Sequence, residues 1–331
     1  MESLEQITII NDFCVHLKDE GKSSNSTLKC YRADLIQFAE FIAAKPQQPV
    51  DENTATSNTS AATMITQKIV ETDKNGLLDF IAHLKDVKKH STATIHRKIC
   101  SLKSFYRWCY RNKLSANDPT SAIKGPRWRK SVPRTVPVEE VEKLIDMPDN
   151  TSLLGMRDEA LIGTLFATGI CLGELININI EDVDVDVEKT IKIRGRTPRK
   201  KDRVLPLDRA TVVSIKRFME STRADTRYSR AWNDDLPRRP LFFNKHGGRL
   251  SSRSVHRLLV KYSKLAGFER PISPRTIRHS YAIHALQNGA DLRQMQRDLG
   301  HRSPATTSIY GRMCRSNQPG PSSNAGMAVA S

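Results

Sequence analysis

No stretch of the chain approaches the ~18 consecutive apolar residues that a membrane span needs. The opening Met1-Glu2-Ser3-Leu4-Glu5 is acidic where a secretory leader would be basic. The chain therefore reads as neither membrane-spanning nor secreted. Its six cysteines, Cys14, Cys30, Cys100, Cys109, Cys171 and Cys314, include no C-x-x-C pair and no zinc-finger spacing. That argues against a disulfide framework or a structural zinc, and fits reduced thiols in the cytoplasm. No glycine-rich phosphate loop, dinucleotide fingerprint, H-E-x-x-H or internal repeat is found, and no cofactor or metal is expected. Negative charge is also scarce. Against 53 Lys and Arg stand only 36 Asp and Glu, a net charge of +17 over 331 residues. Such an excess points to a polyanionic partner, nucleic acid first, without saying whether the protein reads, cuts or coats it.

What is present suffices for a folded core. Hydrophobic residues make up 38% of the chain, and the length is about twice a single-domain prior of ~150 residues, so two domains are expected. Two amphipathic helices are read within the first 45 residues. Leu4, Ile7, Ile10, Cys14 and Leu17 share one face, and Leu28, Tyr31, Leu35, Phe38 and Ile42 share another after the Ser23–Ser26 break. Residues 46–62, rich in Pro, Gln, Asn, Thr and Ser, read as a flexible surface loop. Two further helices follow. One runs near Leu77–Lys85; the other carries Ile95, Ile99, Leu102, Phe105 and Cys109 at helical spacing. The flank of this last helix is basic, with Arg97, Lys98, Lys103, Arg107 and Arg111 beside Tyr106, Trp108 and Tyr110. It is either a solvated face or a DNA contact.

Residues 124–135 read as a basic linker in which Arg127, Arg129 and Lys130 are candidate phosphate contacts, with two prolines and a glycine resisting helix. A second domain opens near Val136 on an acidic first helical turn, Glu139-Glu140, and continues as helix to Ala167-Thr168-Gly169. Val183–Val187, Thr190–Arg194 and Arg203–Leu207 alternate like strands. From Ser251 the pattern is helical again, and the tail after Cys314 reads as disordered.

The most informative stretch is Ile272 to Tyr310. Arg278 opens an Arg-His-Ser run, Asn288-Gly289-Ala290-Asp291 follows, Leu299-Gly300-His301 lies 23 residues beyond Arg278, and Tyr310 lies nine beyond His301. In this ordered spacing the region resembles the C-terminal signature of the tyrosine recombinases, the phage-integrase and Xer-like site-specific DNA strand exchangers. Tyr31-Arg32-Ala33-Asp34-Leu35 and Ser104-Phe105-Tyr106-Arg107-Trp108 look like the core-binding domain of the same family. The resemblance implies a mainly α fold with a small antiparallel β-sheet. A helical SAM-like core-binding domain would span 1–123 and an α+β catalytic domain 136–314, with residues 315–331 as tail. It further implies cleavage through a 3′-phosphotyrosine on Tyr310, with Arg278 and His301 holding the phosphate. The partner would be double-stranded DNA carrying paired sites, bound by a homo-oligomer, a tetramer. The chemistry suits these residue types: a phenol can store the phosphodiester as an aryl ester, and a charge-dense phosphorane needs planar fork donors.

Three positions depart from the family pattern. Where the family has Gly-Leu-Arg-x-x-Glu-Leu, the sequence has Gly169-Ile170-Cys171-Leu172-Gly173-Glu174-Leu175, so a thiol stands at the first catalytic arginine position. A thiol offers neither permanent charge nor a bidentate fork. Arg275 stands where the family usually has His or Lys, and an arginine can hold a phosphate but not shuttle protons. The lysine that protonates the leaving 5′-oxygen is replaced, directly after Gly195, by Arg196; Lys200 or Lys201 is the other candidate for that role. The expectation is a recombinase impaired at Cys171. A catalytically silent DNA-binding relative or accessory subunit is the alternative, and a basic coat protein leaves the ordered motif unexplained.

Overall fold

The computed structural model describes residues 7–20, 25–44, 61–126, 132–195, 201–232 and 238–316. The chain divides into two compact units, 1–131 and 132–331.

The first unit is helical among its described residues: α1 (Thr8–Asp19), α2 (Asn25–Ala44), α3 (Ala61–Val70), α4 (Lys74–Asp86) and α5 (Thr92–Arg111). The faces read from the sequence are those that pack. Ile10 and Leu17 of α1, Leu35, Phe38 and Ile42 of α2, Leu77 and Leu84 of α4, and Ile95, Ile99, Leu102, Phe105 and Cys109 of α5 form one buried cluster. Aromatic rings fill its centre, Phe13 meeting Phe105 edge-on at 5.4 Å and Phe38 meeting Phe80 at 5.0 Å. Side chains that accept backbone N–H groups start two of the helices, Asp73 from Gly76 and Ser91 from Thr94. The loop expected over 46–62 is corrected at its last two residues, where α3 begins at Ala61; in that helix Ile69 is buried and its carbonyl accepts a 2.7 Å hydrogen bond from the Tyr106 hydroxyl. The rest of that segment lies outside the described residues.

The second unit runs α6 (Val138–Ile145), α7 (Leu153–Thr168), α8 (Leu172–Leu175), β1 (Val183–Asp184), β2 (Thr190–Ile193), β3 (Arg203–Pro206), α9 (Arg209–Arg223), α10 (Ser252–Leu265), α11 (Pro274–Gln287), α12 (Leu292–Asp298) and α13 (Pro304–Ser316). The three strands form one antiparallel sheet in the order β1-β2-β3, with Ile191 opposite Leu205. Ile191 and Ile193, with Leu205, point into the core around α7, whose Leu161, Ile162 and Leu165 are fully buried. The sequence reading leaves α9 unassigned, yet its Val212, Ile215 and Phe218 complete that core. A smaller cluster, Ala282, Ile283, Met295, Leu299 and Tyr310, ties α11, α12 and α13 together.

Helix α7 ends where Gly169 turns left-handed at φ 59°. No other residue fits, because a Cβ there would lie 2.2 Å from the Tyr281 ring. This turn sets Ile170 in the core and delivers Cys171 and Glu174 to the edge of the site.

Candidate active site

Two helices and two turns supply the site. Ser273 caps α11 by accepting from the Thr276 N–H at 3.1 Å, with Pro274 in the first turn. Arg275, Arg278 and His279, three and four residues apart, then share one face of that helix. The Arg278 side chain is only 13% exposed. Its two terminal nitrogens donate to the Gly169 carbonyl at 2.8 Å and the Leu299 carbonyl at 2.6 Å, so the turns after α7 and α12 fix its fork. Burial lowers its pKa against the opposing pull of Cys171 and Glu174.

Glu174 is the buried anion of the site. Its carboxylate accepts from both terminal nitrogens of Arg203, at 3.1 and 3.0 Å, and from the Cys171 N–H at 3.0 Å. Arg278 lies 3.9 Å away. Arg203 also donates through Nε to the Asp298 carbonyl at 2.6 Å. Three of its five N–H donors are thus committed to protein, and its charge is paired with Glu174. The Cys171 thiol is half-buried at the start of α8, and burial raises its pKa with Glu174 adding to the effect. It is therefore neither a cation nor an activated thiolate.

Tyr310, on α13, is 2% exposed. Its hydroxyl lies 2.7 Å from His279 Nδ1, and the opposite nitrogen of that ring accepts from Arg275 Nε at 3.1 Å. Burial raises the phenol pKa while Arg278 and Arg275 pull it down. Burial, with Arg275 and Arg278 beside it, lowers His279 to about 4. The His301 ring stacks beside Tyr310 at 6.2 Å, and its Nδ1 is 2.9 Å from the Thr307 hydroxyl. Residues from three sequence regions, around 169–174, 275–279 and 299–310, converge on one place.

Arg278, His301, Tyr310, Arg275 and Cys171 thus gather as the spacing leads one to expect. Of the three hairpin candidates, Arg196 and Lys200 lie outside the described residues. Lys201 is exposed at the foot of the hairpin, beside Asp202, whose carboxylate accepts from the Gly195 N–H at 2.9 Å. Three participants were missed by residue type: His279, Glu174 and Arg203. The first two sit inside the quoted motifs, and Arg275-x-x-x-His279 is an i,i+4 pair, so a signal existed.

On α5 the expected basic flank needs a correction. Lys98 is buried, and its ammonium donates to Asp34 at 2.7 Å, so it neutralises a buried carboxylate and cannot reach a phosphate. Tyr106 is fully buried as well. Arg97 is exposed but paired with Asp34, while Arg107 and Arg111 are exposed and Lys103 half-buried. Arg127, Arg129 and Lys130 lie outside the described residues.

Comparison with known proteins follows this geometry. The phage integrase family matches residues 134–315, and the phage integrase N-terminal SAM-like domain matches residues 9–116. The chain is similar to the tyrosine recombinase XerD of Listeria innocua, with 31% identity over 91% of this chain and 93% of that one. It is also similar to the tyrosine recombinase XerC of Syntrophus aciditrophicus, with 33% identity over 91% and 92%. Among solved structures it resembles the fold of the XerH site-specific recombinase bound to a palindromic difH substrate in a post-cleavage complex. That match has a TM-score of 0.68 and 20% identity, over 92% of this chain and 82% of that one. A lambda integrase dimer bound to a COC′ core site gives a TM-score of 0.62 and 14% identity, over 94% and 96%.

Proposed function

The chain belongs to the phage integrase family of tyrosine recombinases, and from that premise we propose that it breaks and rejoins double-stranded DNA at paired sites through a 3′-phosphotyrosine on Tyr310. The observation that carries this reading is the convergence of Arg275, Arg278, His301 and Tyr310, with the Tyr310 hydroxyl held at 2.7 Å by His279. Arg278 and Arg275 offer guanidinium forks to the non-bridging phosphate oxygens, and His301 offers a further donor. The bond from the phenol oxygen to phosphorus forms as the bond from phosphorus to the 5′-oxygen breaks. The phenol proton leaves to water, and the 5′-oxygen takes up a proton from a hairpin residue, Arg196, Lys200 or Lys201, or from solvent. Of these the two lysines are the better acids, since an arginine holds its proton. The aryl ester retains the phosphodiester energy, so rejoining needs no nucleotide.

DNA contact is assigned to Arg97, Lys103, Arg107, Arg111, Arg127, Arg129 and Lys130, and the working assembly to a tetramer of this chain on two sites. Six unpaired cysteines support a reducing compartment, the cytoplasm. Among the described residues no helix is long and apolar enough to cross a membrane. Cys171 favours a second reading, a DNA-binding relative that no longer cleaves. One experiment separates the two. Duplexes enriched by binding from a randomised pool are nicked at successive positions, incubated with the chain and run on a denaturing gel. The first reading expects a covalent protein–DNA adduct that is lost in Tyr310→Phe while duplex affinity is kept. Tight binding with no adduct at any nick position, in the wild type and in Cys171→Arg alike, establishes the second.

A further inference from the structure

His279 has no part in the strand-transfer chemistry set out above beyond the hydrogen bond that joins it to Tyr310. Its ring is 8% exposed and both nitrogens are occupied, Nδ1 by the Tyr310 hydroxyl at 2.7 Å and Nε2 by Arg275 Nε at 3.1 Å. The chemistry of the two neighbours fixes its protonation. A guanidinium nitrogen can only donate, so Nε2 must accept. A ring that accepts on one nitrogen is neutral and carries its single hydrogen on the other. Nδ1–H therefore donates to the Tyr310 oxygen. The low pKa that burial and the flanking arginines impose on His279 agrees with a neutral ring.

We propose that His279 is a positioning residue for the nucleophile: Arg275 locks its tautomer, and its Nδ1–H holds the Tyr310 oxygen and meets the negative charge that grows there during attack. The proposal rests on the strand-transfer reading of Tyr310. It also gives Arg275 a reason to be arginine. Lysine carries no planar Nε–H, and histidine has a shorter reach and a tautomer of its own, so neither imposes the same order on the ring. In this tautomer His279 cannot take the phenol proton, since the nitrogen facing Tyr310 already bears a hydrogen. It orients the oxygen while the proton departs to water on another side. The balance of the step is unchanged: the phenol oxygen–phosphorus bond forms, the bond to the 5′-oxygen breaks, and the 5′-oxygen is protonated from outside this triad.

The test uses the full chain with 3-fluorotyrosine at position 310. Its 19F resonance reports the hydrogen bond without any need for cleavage. His279→Ala is expected to shift the resonance, and His279→Asn, whose amide N–H can stand near the Nδ1 position, to return it toward the wild-type value. Arg275→Met leaves the imidazole in place but releases Nε2. It is expected to shift the resonance too, which keeps the test decisive if His279→Ala folds poorly. Adduct formation is then timed on the enriched nicked duplexes, in the wild-type and Cys171→Arg backgrounds. It should slow by about 10- to 100-fold in His279→Ala, what a hydrogen bond to a developing charge is worth. It should be largely restored in His279→Asn, with duplex affinity constant throughout. A resonance indifferent to both His279→Ala and Arg275→Met overturns the proposal. So does an Asn variant that behaves as the Ala variant in both readouts. The expected 19F pattern with no adduct from any chain supports the hydrogen bond and overturns only the strand-transfer reading.

Discussion

Cys171 shows how much one side chain decides in a site built on charge. Its backbone N–H donates to Glu174, a contact that holds the turn independently of the side chain at this position. What is lost is a donor, and a preorganised charged donor contributes roughly 3 kcal/mol or more in the transition state, a factor of about 10². Cys171→Arg is therefore expected to raise the single-turnover rate of adduct formation by on the order of 10², with duplex affinity changing much less. An unchanged rate would mean that Arg275 or a hairpin residue already supplies the charge. His279 makes a second prediction at this scale. Its pKa falls from 6.5 to about 4 on folding, so the unfolded chain binds the extra proton between those values. The stabilisation is complete above pH 6.5 and is lost as pH falls toward 4, by up to about 3 kcal/mol. The melting temperature should drop between pH 7 and 5, and His279→Asn should flatten that part of the profile relative to wild type. Equal slopes in the two proteins would contradict the buried neutral ring. At this scale the family resemblance singles out Arg278, His301 and Tyr310 from the sequence, and the structure brings the three together. The contact between His279 and Tyr310 is not legible, since it exists only once α13 folds back onto α11 and brings residues 31 positions apart together.

Helix α5 carries both an error and a success of reading by element. Its apolar stripe was plain, because helical periodicity is a local property. The division of its basic residues was not, because it depends on Asp34, 64 positions from Lys98 in the chain. Arg97, Lys98 and Ser101 all donate to that buried carboxylate. Lys98→Met should therefore lower stability by about 1–3 kcal/mol, the cost of a lost partner for a buried charge, and leave the salt dependence of DNA binding as it was. Arg107→Ala with Arg111→Ala should do the reverse. Stability is kept, and the log–log salt slope shrinks by up to about two. Denaturant melts and salt titrations of the two proteins check the exchange of roles. A Lys98 variant with a reduced salt slope would return that lysine to the DNA-contacting set. Helix α3 escaped notice for a related reason: its few apolar residues stand next to a polar-rich run, and only the burial of Ile69 against α5 shows why it forms. The strands β2 and β3 were legible from alternation alone.

Over the whole molecule, the charge of +17 is spread through both units and the basic run that joins them. Neutralising Arg127, Arg129 and Lys130 together should reduce the salt slope of duplex binding by up to about three units. An unchanged slope at unchanged affinity would make that run a solvated tether. A chain so basic meets phosphodiesters wherever DNA is present, and nearly all of those meetings are with the wrong sequence. Tyr310, 2% exposed beneath α11 and α12, gives such meetings no consequence. A phenol with so little free surface offers almost nothing to a duplex that merely adsorbs. On the strand-transfer reading proposed above, chance adsorption along DNA then leaves no scars, and at rest the chain is chemically blunt.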